Sequence, residues 1–237
     1  MSAAFEELDW SPTDIGDVSL RRRLDPTTGR YVYEVKLGDE FLMSSLFTVA
    51  EIALAGIALE RLSGDTLDVA VGGLGLGHTA QRVLEDRRVR ELVVVELLRP
   101  VISWHRQALV PVGPTLTADA RCRLIQGDFF GMSAHAGFDP QHPDRTFDAV
   151  LLDIDHSPTH LLGGERAGFY GAEGTRRLAS HIVEGGVYAL WSNDRPDQAY
   201  IDILAEVFTD VAAKVVTFPN PLQGNLAANT VYVATKR

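Results

Sequence analysis

The sequence holds a single cysteine, Cys122, within an apolar segment that is expected to form a strand. An intrachain disulfide and a cysteine metal cluster are therefore excluded, and we interpret Cys122 as a small core residue. Long apolar runs are also missing, since the most apolar stretch, residues 46–59, is interrupted by Glu51 and is too short to span a bilayer. Residues 1–10 are acidic and lack the apolar core of a signal peptide, so we expect a cytoplasmic protein with no membrane partner.

Positive charge is scarce as well, because 22 Lys and Arg residues stand against 32 Asp and Glu residues, which gives a net charge of −10. The basic residues form no stripe along the chain. Nucleic acid binding requires basic groups that neutralise phosphates, so we expect no nucleic acid partner and favour a cationic or neutral small molecule. The sequence also contains neither an HExxH-type metal pattern nor a nucleophile elbow, and no metal cofactor is expected.

The most informative segment is residues 67–96, which read LDVAVGGLGLGHTAQRVLEDRRVRELVVVE. An apolar run, a glycine-rich turn, a helical pattern and a second apolar run ending in Glu96 predict the first half of a nucleotide-binding α/β unit. Glycines let the backbone fold back sharply and let a ligand approach closely. The spacing Gly73-x-Gly75-x-Gly77 differs from the GxGxxG of dinucleotide sites and suits adenosylmethionine-type ligands better, so a nicotinamide dehydrogenase is disfavoured.

Strands and helices alternate over most of the chain, which predicts an α/β domain with a mostly parallel sheet and helices on both faces. Ahead of it, a turn signal between two alternating segments predicts a short β-hairpin. We expect a flexible tail at residues 1–16, a small β element at 17–43 and the α/β domain at 44–237. Residues 131–145 are expected to be the most mobile loop, and Gly185 is expected to lie at the end of a helix.

Three successive strands end in an acid, namely Glu96, Asp128 and Asp153. Ligands of open α/β sheets bind beyond the carboxyl ends of the strands, so these acids are expected to line one crevice. Glu96 is expected to bind the ribose of a nucleoside. Asp128 is expected to accept a hydrogen bond from the adenine amino group, with Leu97 and Phe129 as apolar neighbours. The alternative for each acid is a helix N-cap, because helices follow strands in these folds.

Asp153 follows a buried strand and is a candidate for holding a cationic amine or for accepting its proton. Asp155 is expected to lie further along, where a transferable group meets its acceptor. His156 is a candidate second base, although a lone histidine is more often a hydrogen-bonding loop residue. The candidate walls of an acceptor pocket are Tyr170, Trp191, Ser192 and Asn193.

Taken together, these segments resemble the spermidine synthase family, within the class I S-adenosylmethionine-dependent methyltransferase superfamily. The resemblance extends from about residue 31 to the C-terminus. Its further pieces are GDEF at 38–41, GD at 127–128, FDAVLLD at 147–153, FY at 169–170, EGGVYALWS at 184–192 and NTVYVATK at 229–236. The resemblance implies a Rossmann-like sheet of seven strands, a small N-terminal β element and a homodimer. It also implies that Glu96 binds ribose, Asp128 binds adenine and Asp153 assists deprotonation of an attacking amine.

The sequence departs from the family pattern at three places. Spermidine synthases typically have an aspartate in the glycine turn, facing the amine of decarboxylated adenosylmethionine, whereas this turn has no acid. A Tyr-His pair is replaced within residues 43–45, and His156 stands where the family has a second aspartate. Intact adenosylmethionine keeps a carboxylate that prefers free amides, so an acid-free turn favours it over the decarboxylated donor.

Three functions remain open at this point. The first is an S-adenosylmethionine-dependent transferase that moves a methyl group to a small amine or hydroxyl acceptor. The second is an aminopropyltransferase that uses decarboxylated S-adenosylmethionine and a diamine, which the acids Asp153 and Asp155 and the negative net charge support. The third is a nucleotide-binding protein without catalytic activity.

Overall fold

The structure is a computed structural model that describes residues 5–154, 168–220 and 222–237. It contains a four-stranded N-terminal sheet and a seven-stranded main sheet. The N-terminal sheet is antiparallel in chain order and consists of β1 (Phe5–Ser11), β2 (Val18–Leu24), β3 (Tyr31–Leu37) and β4 (Glu40–Ser44). The predicted hairpin is confirmed as β2 and β3. The carboxylate of Asp25 accepts hydrogen bonds from the backbone N–H and the hydroxyl of Thr28, both at 2.8 Å, in the turn between them.

The expectation of a flexible tail is wrong for residues 5–11, which form β1 and pair with β2. Glu6 in β1 forms an ion pair with Arg22 in β2 at 2.5 Å. The indole N–H of Trp104 donates a hydrogen bond to the carboxylate of Asp9, also at 2.5 Å. The contacts that hold β1 come from β2 and from Trp104, outside the strand itself. The local pattern of residues 5–11 therefore could not reveal this strand.

The main sheet confirms the predicted Rossmann-like architecture. Its strands are β5 (Leu67–Gly72), β6 (Val89–Glu96), β7 (Cys122–Gln126), β8 (Phe147–Leu152), β9 (Ile182–Ser192), β10 (Phe208–Asn220) and β11 (Asn225–Lys236). They lie in the order β10-β11-β9-β8-β5-β6-β7. The pairs from β9 through β8, β5 and β6 to β7 are parallel, whereas β11 pairs antiparallel with both β9 and β10. From β5 the chain adds β6 and β7 on one side, and it then returns to the other side of β5 to form β8. The strand order therefore reverses at β5, which is where ligands of such sheets bind.

Helices cover both faces of this sheet, as predicted. In the described ranges they are α1 (Val49–Leu59), α2 (His78–Leu84), α3 (Arg99–Arg106), α4 (Gly113–Ala118), α5 (Phe129–Ala134), α6 (Ala172–Ser180) and α7 (Gln198–Val207). Side chains of the central strands alternate between two cores. Val69 and Val71 of β5 pack in the core with α1 to α4, and Ala70 packs in the core with α5 to α7. None of the helices described combines the length and apolar character required to cross a membrane.

Two local expectations need correction. Gly185 does not end a helix, because α6 ends at Ser180 and Gly185 lies inside β9, where the register with β8 shifts. Part of the expected mobile loop, up to Ala134, belongs to α5. Asp139, further along that segment, is buried and forms ion pairs with Arg123 and Arg145. Asp139, one of the polar residues that suggested mobility, therefore anchors the segment.

Candidate functional site

The glycine turn connects the tip of β5 to α2. Gly73, Gly75 and Gly77 have φ angles of +93°, +47° and +92°, in the left-handed region that favours glycine. A Cβ atom at Gly73 would lie 2.1 Å from the carbonyl oxygen of Asp153. The turn thus packs directly against the end of β8, and no side chain fits between them.

Glu96, at the tip of β6, holds the turn from the other side. Its carboxylate accepts hydrogen bonds from the backbone N–H of Leu74 at 2.9 Å and of Leu98 at 2.8 Å. Burial raises the pKa of Glu96, and these backbone hydrogen bonds act in the opposite direction. The backbone N–H groups of Gly75 and Leu97 also stabilise this carboxylate.

Asp128 caps α5, because its carboxylate accepts a hydrogen bond from the backbone N–H of Phe130 at 3.2 Å. The N-cap alternative is therefore realised, and it leaves further oxygen lone pairs available to a ligand. The neighbouring Phe129 is buried, stacks on Phe138 at 4.5 Å and fills the space beside Gly72. Phe129 is thus mainly a core residue that also forms one wall of a cavity.

We call this cavity the strand-tip cavity. It has a volume of about 130 Å³ and lies among the carboxyl ends of β5, β6, β7 and β8. It brings together most of the residues predicted to bind a nucleoside, namely Gly73, Gly75, Glu96, Leu97, Asp128, Phe129 and Asp153. Gly77 lines the neighbouring cavity instead.

The neighbouring cavity is larger, about 460 Å³, and we call it the acidic cavity. It lies between β4, α1, the glycine turn and the C-terminal strands. Its lining includes four acidic residues and, within the described part of the chain, neither Lys nor Arg. The acids are Glu40, Glu51, Asp153 and Asp194. Aromatic walls are supplied by Phe41, Phe47, Trp191 and Phe218.

Asp153 lines both cavities. The hydroxyl of Thr79 in α2 donates a hydrogen bond to its carboxylate. Burial raises the pKa of Asp153 to about 6, although the hydrogen bond from Thr79 acts in the opposite direction. A group with a pKa in this range can exchange a proton near neutral pH. Asp155 and His156, the other predicted catalytic residues, lie outside the described residues.

The predicted acceptor-pocket residues separate in the structure. Trp191 lines the acidic cavity, and its indole N–H is buried with no hydrogen-bond acceptor in the described part of the chain. Ser192 is buried, and its hydroxyl accepts a hydrogen bond from the backbone N–H of Asp194 at 3.2 Å. Tyr170 is only 7% exposed and packs edge-on to Tyr200 in the core with α5 to α7. Ser192 and Tyr170 therefore contribute to the core and to the shape of the site rather than to its wall.

The sequence did not single out three acids of the acidic cavity, Glu40, Glu51 and Asp194. Each comes from a different part of the chain, at the start of β4, inside α1 and after β9. Glu51 carried a local signal, because it interrupts an otherwise apolar helix, and Glu40 belongs to the GDEF segment of the family resemblance. His, Cys, Asp and Glu residues form no group of three that could hold a metal ion in the ranges that the structure describes.

His105 in α3 supports the glycine turn from behind. Its Nε2 atom lies 2.9 Å from the carbonyl oxygen of Gly75, while Nδ1 is buried without a partner in the described residues. Burial lowers the pKa of His105, which favours the neutral ring. Since Nε2 faces a carbonyl oxygen, it must carry the hydrogen and donate it. The side chain also fills the space next to Gly77, where a Cβ would lie 2.8 Å from its Cε1 atom.

The chain is similar in sequence to a curated relative and in fold to solved structures. No family model matches the chain. Polyamine aminopropyltransferase 2 of Pseudomonas aeruginosa strain PAO1 is 29% identical over 163 residues, which cover 65% of this chain. The alignment spans only 43% of that relative's length.

Solved structures match over nearly the whole chain. A spermidine synthase from Thermotoga maritima has a TM-score of 0.73 and 16% identity, and the match covers 98% of this chain and 73% of that one. The chain has a spermidine synthase-like fold. A spermidine synthase in complex with the transition-state analogue AdoDATO gives 0.72 at 15% identity, covering 98% and 72%. A probable spermidine synthase from Corynebacterium glutamicum gives 0.64 at 15% identity, covering 97% and 79%. These structures confirm the predicted fold.

Proposed function

We propose that this spermidine synthase-like protein is an aminopropyltransferase that uses decarboxylated adenosylmethionine as donor and a small diamine or polyamine as acceptor. The observation that carries the proposal is the acidic cavity, which opens beside the strand-tip cavity and shares Asp153 with it. The similarity to the polyamine aminopropyltransferase of P. aeruginosa supports the same reaction.

The acidic cavity fits a cationic acceptor. Its lining brings four carboxylates into one cavity, and such a concentration of negative charge attracts a positively charged ligand. Phe47, Trp191 and Phe218 offer aromatic surface for the methylene groups and for the ammonium ends of a diamine. A volume of about 460 Å³ is within the usual range of small-molecule sites.

The strand-tip cavity fits the nucleoside part of the donor. Glu96 would bind the ribose hydroxyls and Asp128 the adenine amino group, with the apolar side chains of Leu97 and Phe129 against the base. The geometry behind this assignment is that all four residues line one cavity with Gly73 and Gly75 of the turn. Gly73 and Gly75 add no side chain of their own to this cavity.

When bound, the donor supplies a carbon activated by the adjacent sulfonium. The neutral acceptor amine attacks this carbon, so that a C–N bond forms, the C–S bond breaks and its electron pair passes to sulfur. The proton lost by the new ammonium goes to the carboxylate of Asp153, directly or through water. Asp153 is suited to this role because it lies at the wall shared by the two cavities and has a pKa of about 6.

Methyl transfer, the first hypothesis from the sequence, has less support. The glycine turn lacks an acid, which favours a donor that keeps its carboxylate. However, the acidic cavity places other carboxylates next to the turn, and these can receive the ammonium of the decarboxylated donor. Methyl transfer therefore stands as the second candidate, because its only support is the composition of the turn.

The test is calorimetric titration with decarboxylated adenosylmethionine and, separately, with adenosylmethionine, followed by mass spectrometry of reactions with putrescine. We expect tighter binding of the decarboxylated donor and release of 5′-methylthioadenosine together with an aminopropylated product. Preference for adenosylmethionine with a methylated product would overturn the proposal in favour of methyl transfer. Binding without product in a wide screen of amines would favour the non-catalytic alternative.

A matched pair of variants on α1 tests the acidic cavity directly. Glu51 lines the cavity, whereas Glu60, at the C-terminal end of the same helix, is exposed. We expect Glu51→Gln to raise KM for the diamine by about ten-fold, in keeping with the loss of a partly buried charge pair, while Glu60→Gln leaves it unchanged. Equal KM values in both variants would show that the cavity does not bind the amine.

A further inference from the structure

The strand-tip cavity and the acidic cavity share one wall. Four residues line both of them, namely Leu42, Met43, Gly75 and Asp153. A group that passes from a donor in the first cavity to an acceptor in the second must cross at this wall. The shared residues therefore surround the position of transfer, and this conclusion rests on the function proposed above.

Met43, in β4, is the large flexible side chain at this wall. A Cβ atom built on Gly75 would lie 2.5 Å from Sδ and 2.6 Å from Cε of Met43. The side chain of Met43 thus occupies the space into which any side chain at position 75 would project. The φ angle of Gly75 is +47°, a backbone conformation that favours glycine. The thioether of Met43 in β4 therefore fills the space that a side chain on the turn would otherwise occupy.

The chemical character of the wall is uneven. Among the described residues of the wall, Asp153 is the only acid, and the hydroxyl of Thr79 holds its carboxylate. Leu42 and Met43 are apolar, and Gly75 contributes only backbone to the wall. An alkyl chain attached to the sulfonium finds apolar contact on the side of β4, while an amine that loses a proton finds the acid on the other side. A methionine side chain adapts its shape to such a chain through three rotatable bonds.

We propose that Met43 binds the part of the donor beyond the sulfonium, because its thioether side chain is the surface on which the three-carbon chain of the donor packs. In this role Met43 acts on the part of the donor beyond the sulfonium and leaves the nucleoside part unaffected. The N-terminal sheet, which supplies Met43 through β4, is then part of the specificity of the site rather than only an attachment to the main domain.

The experiment compares two ligands that share the nucleoside and differ in the aminopropyl chain and in the positive charge that its attachment gives to sulfur. 5′-Methylthioadenosine carries the nucleoside and the sulfur, and decarboxylated adenosylmethionine adds the aminopropyl group. For Met43→Ala we expect calorimetry to show about ten-fold weaker binding of the decarboxylated donor, as the loss of contact with about two methylene groups implies. Binding of 5′-methylthioadenosine should change by less than about two-fold. Met43→Leu, which conserves volume, should keep the wild-type ratio of the two affinities.

Met132 provides the matched control, because its Sδ atom would lie 2.5 Å from a Cβ on Gly127, at the tip of β7 and away from the shared wall. Met132→Ala should change the affinity of both ligands by the same factor. Equal factors in Met43→Ala, or no change in either ligand, would overturn the role of Met43. Failure of the proposed function is recognised separately, as wild-type preference for adenosylmethionine. In that case the affinities of Met43→Ala for adenosylmethionine and for 5′-methylthioadenosine are compared in the same way. A larger loss for adenosylmethionine supports the role of Met43, and equal losses overturn it.

Discussion

At the scale of single residues, the reaction depends most on the ionisation of Asp153. Its pKa is raised to about 6, mainly by burial, so the carboxylate form that accepts a proton gains population as the pH rises through 6. We expect the rate with a diamine to rise over the same interval. Asp153→Asn should bind the donor within about two-fold of wild type and lose about 10²-fold to 10⁴-fold in kcat, the usual contribution of a general base.

Thr79 offers a control that separates this chemistry from a structural effect. Its hydroxyl donates a hydrogen bond to Asp153 and lowers the pKa of that carboxyl. Thr79→Val removes the donor while conserving shape, so the rise of kcat with pH should shift to higher pH. A profile that stays in place in Thr79→Val, or wild-type turnover in Asp153→Asn, would contradict the role of Asp153 as proton acceptor.

The residues of the strand tips were accessible to sequence reasoning because each acid directly follows an apolar strand. Glu96, Asp128 and Asp153 do line one cavity, as that pattern predicts. The acidic cavity was not accessible, because Glu40, Glu51 and Asp194 meet only through the tertiary fold. A hydrophobic pattern reports which face of an element is buried, but it does not report which distant element supplies the opposite wall.

At the scale of elements, α3 connects the N-terminal sheet to the glycine turn. Trp104 donates a hydrogen bond to Asp9 in β1, and the next residue, His105, donates to the carbonyl of Gly75. Replacing His105 by Phe leaves the carbonyl oxygen of Gly75 without this donor, and a lost hydrogen bond of this kind costs about 0.5–1.5 kcal/mol. Since this disturbs the turn that lines both cavities, we expect about ten-fold weaker binding of 5′-methylthioadenosine by His105→Phe in calorimetry.

Two other variants at position 105 make this test specific. The Nε2 atom of glutamine can take the place of the histidine Nε2, so His105→Gln should recover most of the affinity. The amide of asparagine is too short to reach Gly75, so His105→Asn should resemble His105→Phe. Equal affinities in the three variants would show that only the volume of the imidazole matters.

Elements with a clear apolar pattern or turn signal were predicted from sequence, whereas the shortest helices were not. The central strands β5, β6 and β8 are nearly continuous apolar runs, as parallel strands buried on both faces must be. The six-residue helices α4 and α5 are too short to show a period. Gly185 was misassigned because glycine is common both after helices and at irregularities in strands. Here it occupies such an irregularity in β9.

At the scale of the whole molecule, the two ends of the main sheet have different roles. The cavities lie at the carboxyl ends of the parallel strands. At the amino ends of β5, β6 and β7, and in the segment before β8, charged side chains form a network of ion pairs. Its members are Asp68, Arg90, Glu91, Arg123, Asp139, His142 and Arg145. This network is also what anchors the loop that the sequence predicted to be mobile.

Arg145 is the centre of the network, with contacts to Asp68 at 2.7 Å, Glu91 at 2.8 Å and Asp139 at 3.0 Å. Its side chain is only 14% exposed and that of Asp139 is fully buried. Removing one partner of a buried ion pair leaves an uncompensated charge, so Arg145→Ala should lower the free energy of unfolding by about 3 kcal/mol. Arg176→Ala is the control, because its exposed pair with Glu206 is worth at most about 1 kcal/mol. Urea unfolding at neutral pH measures both.

The pH dependence of this loss separates the ion pairs from the packing of the arginine side chain. Burial works against ionisation of Asp139, but hydrogen bonds from Arg123, His142 and Arg145 hold its pKa below the usual range. A carboxyl with a lowered pKa contributes stability above its unfolded value, about pH 4, and loses it as the pH falls further. The difference in stability between wild type and Arg145→Ala should therefore shrink below about pH 4. Since the cavities lie at the opposite end of the sheet, kcat at a temperature where both proteins are folded should be unchanged. A constant difference at all pH values would mean that Arg145 acts through packing alone, and a fall in kcat would mean that the two ends of the sheet are coupled.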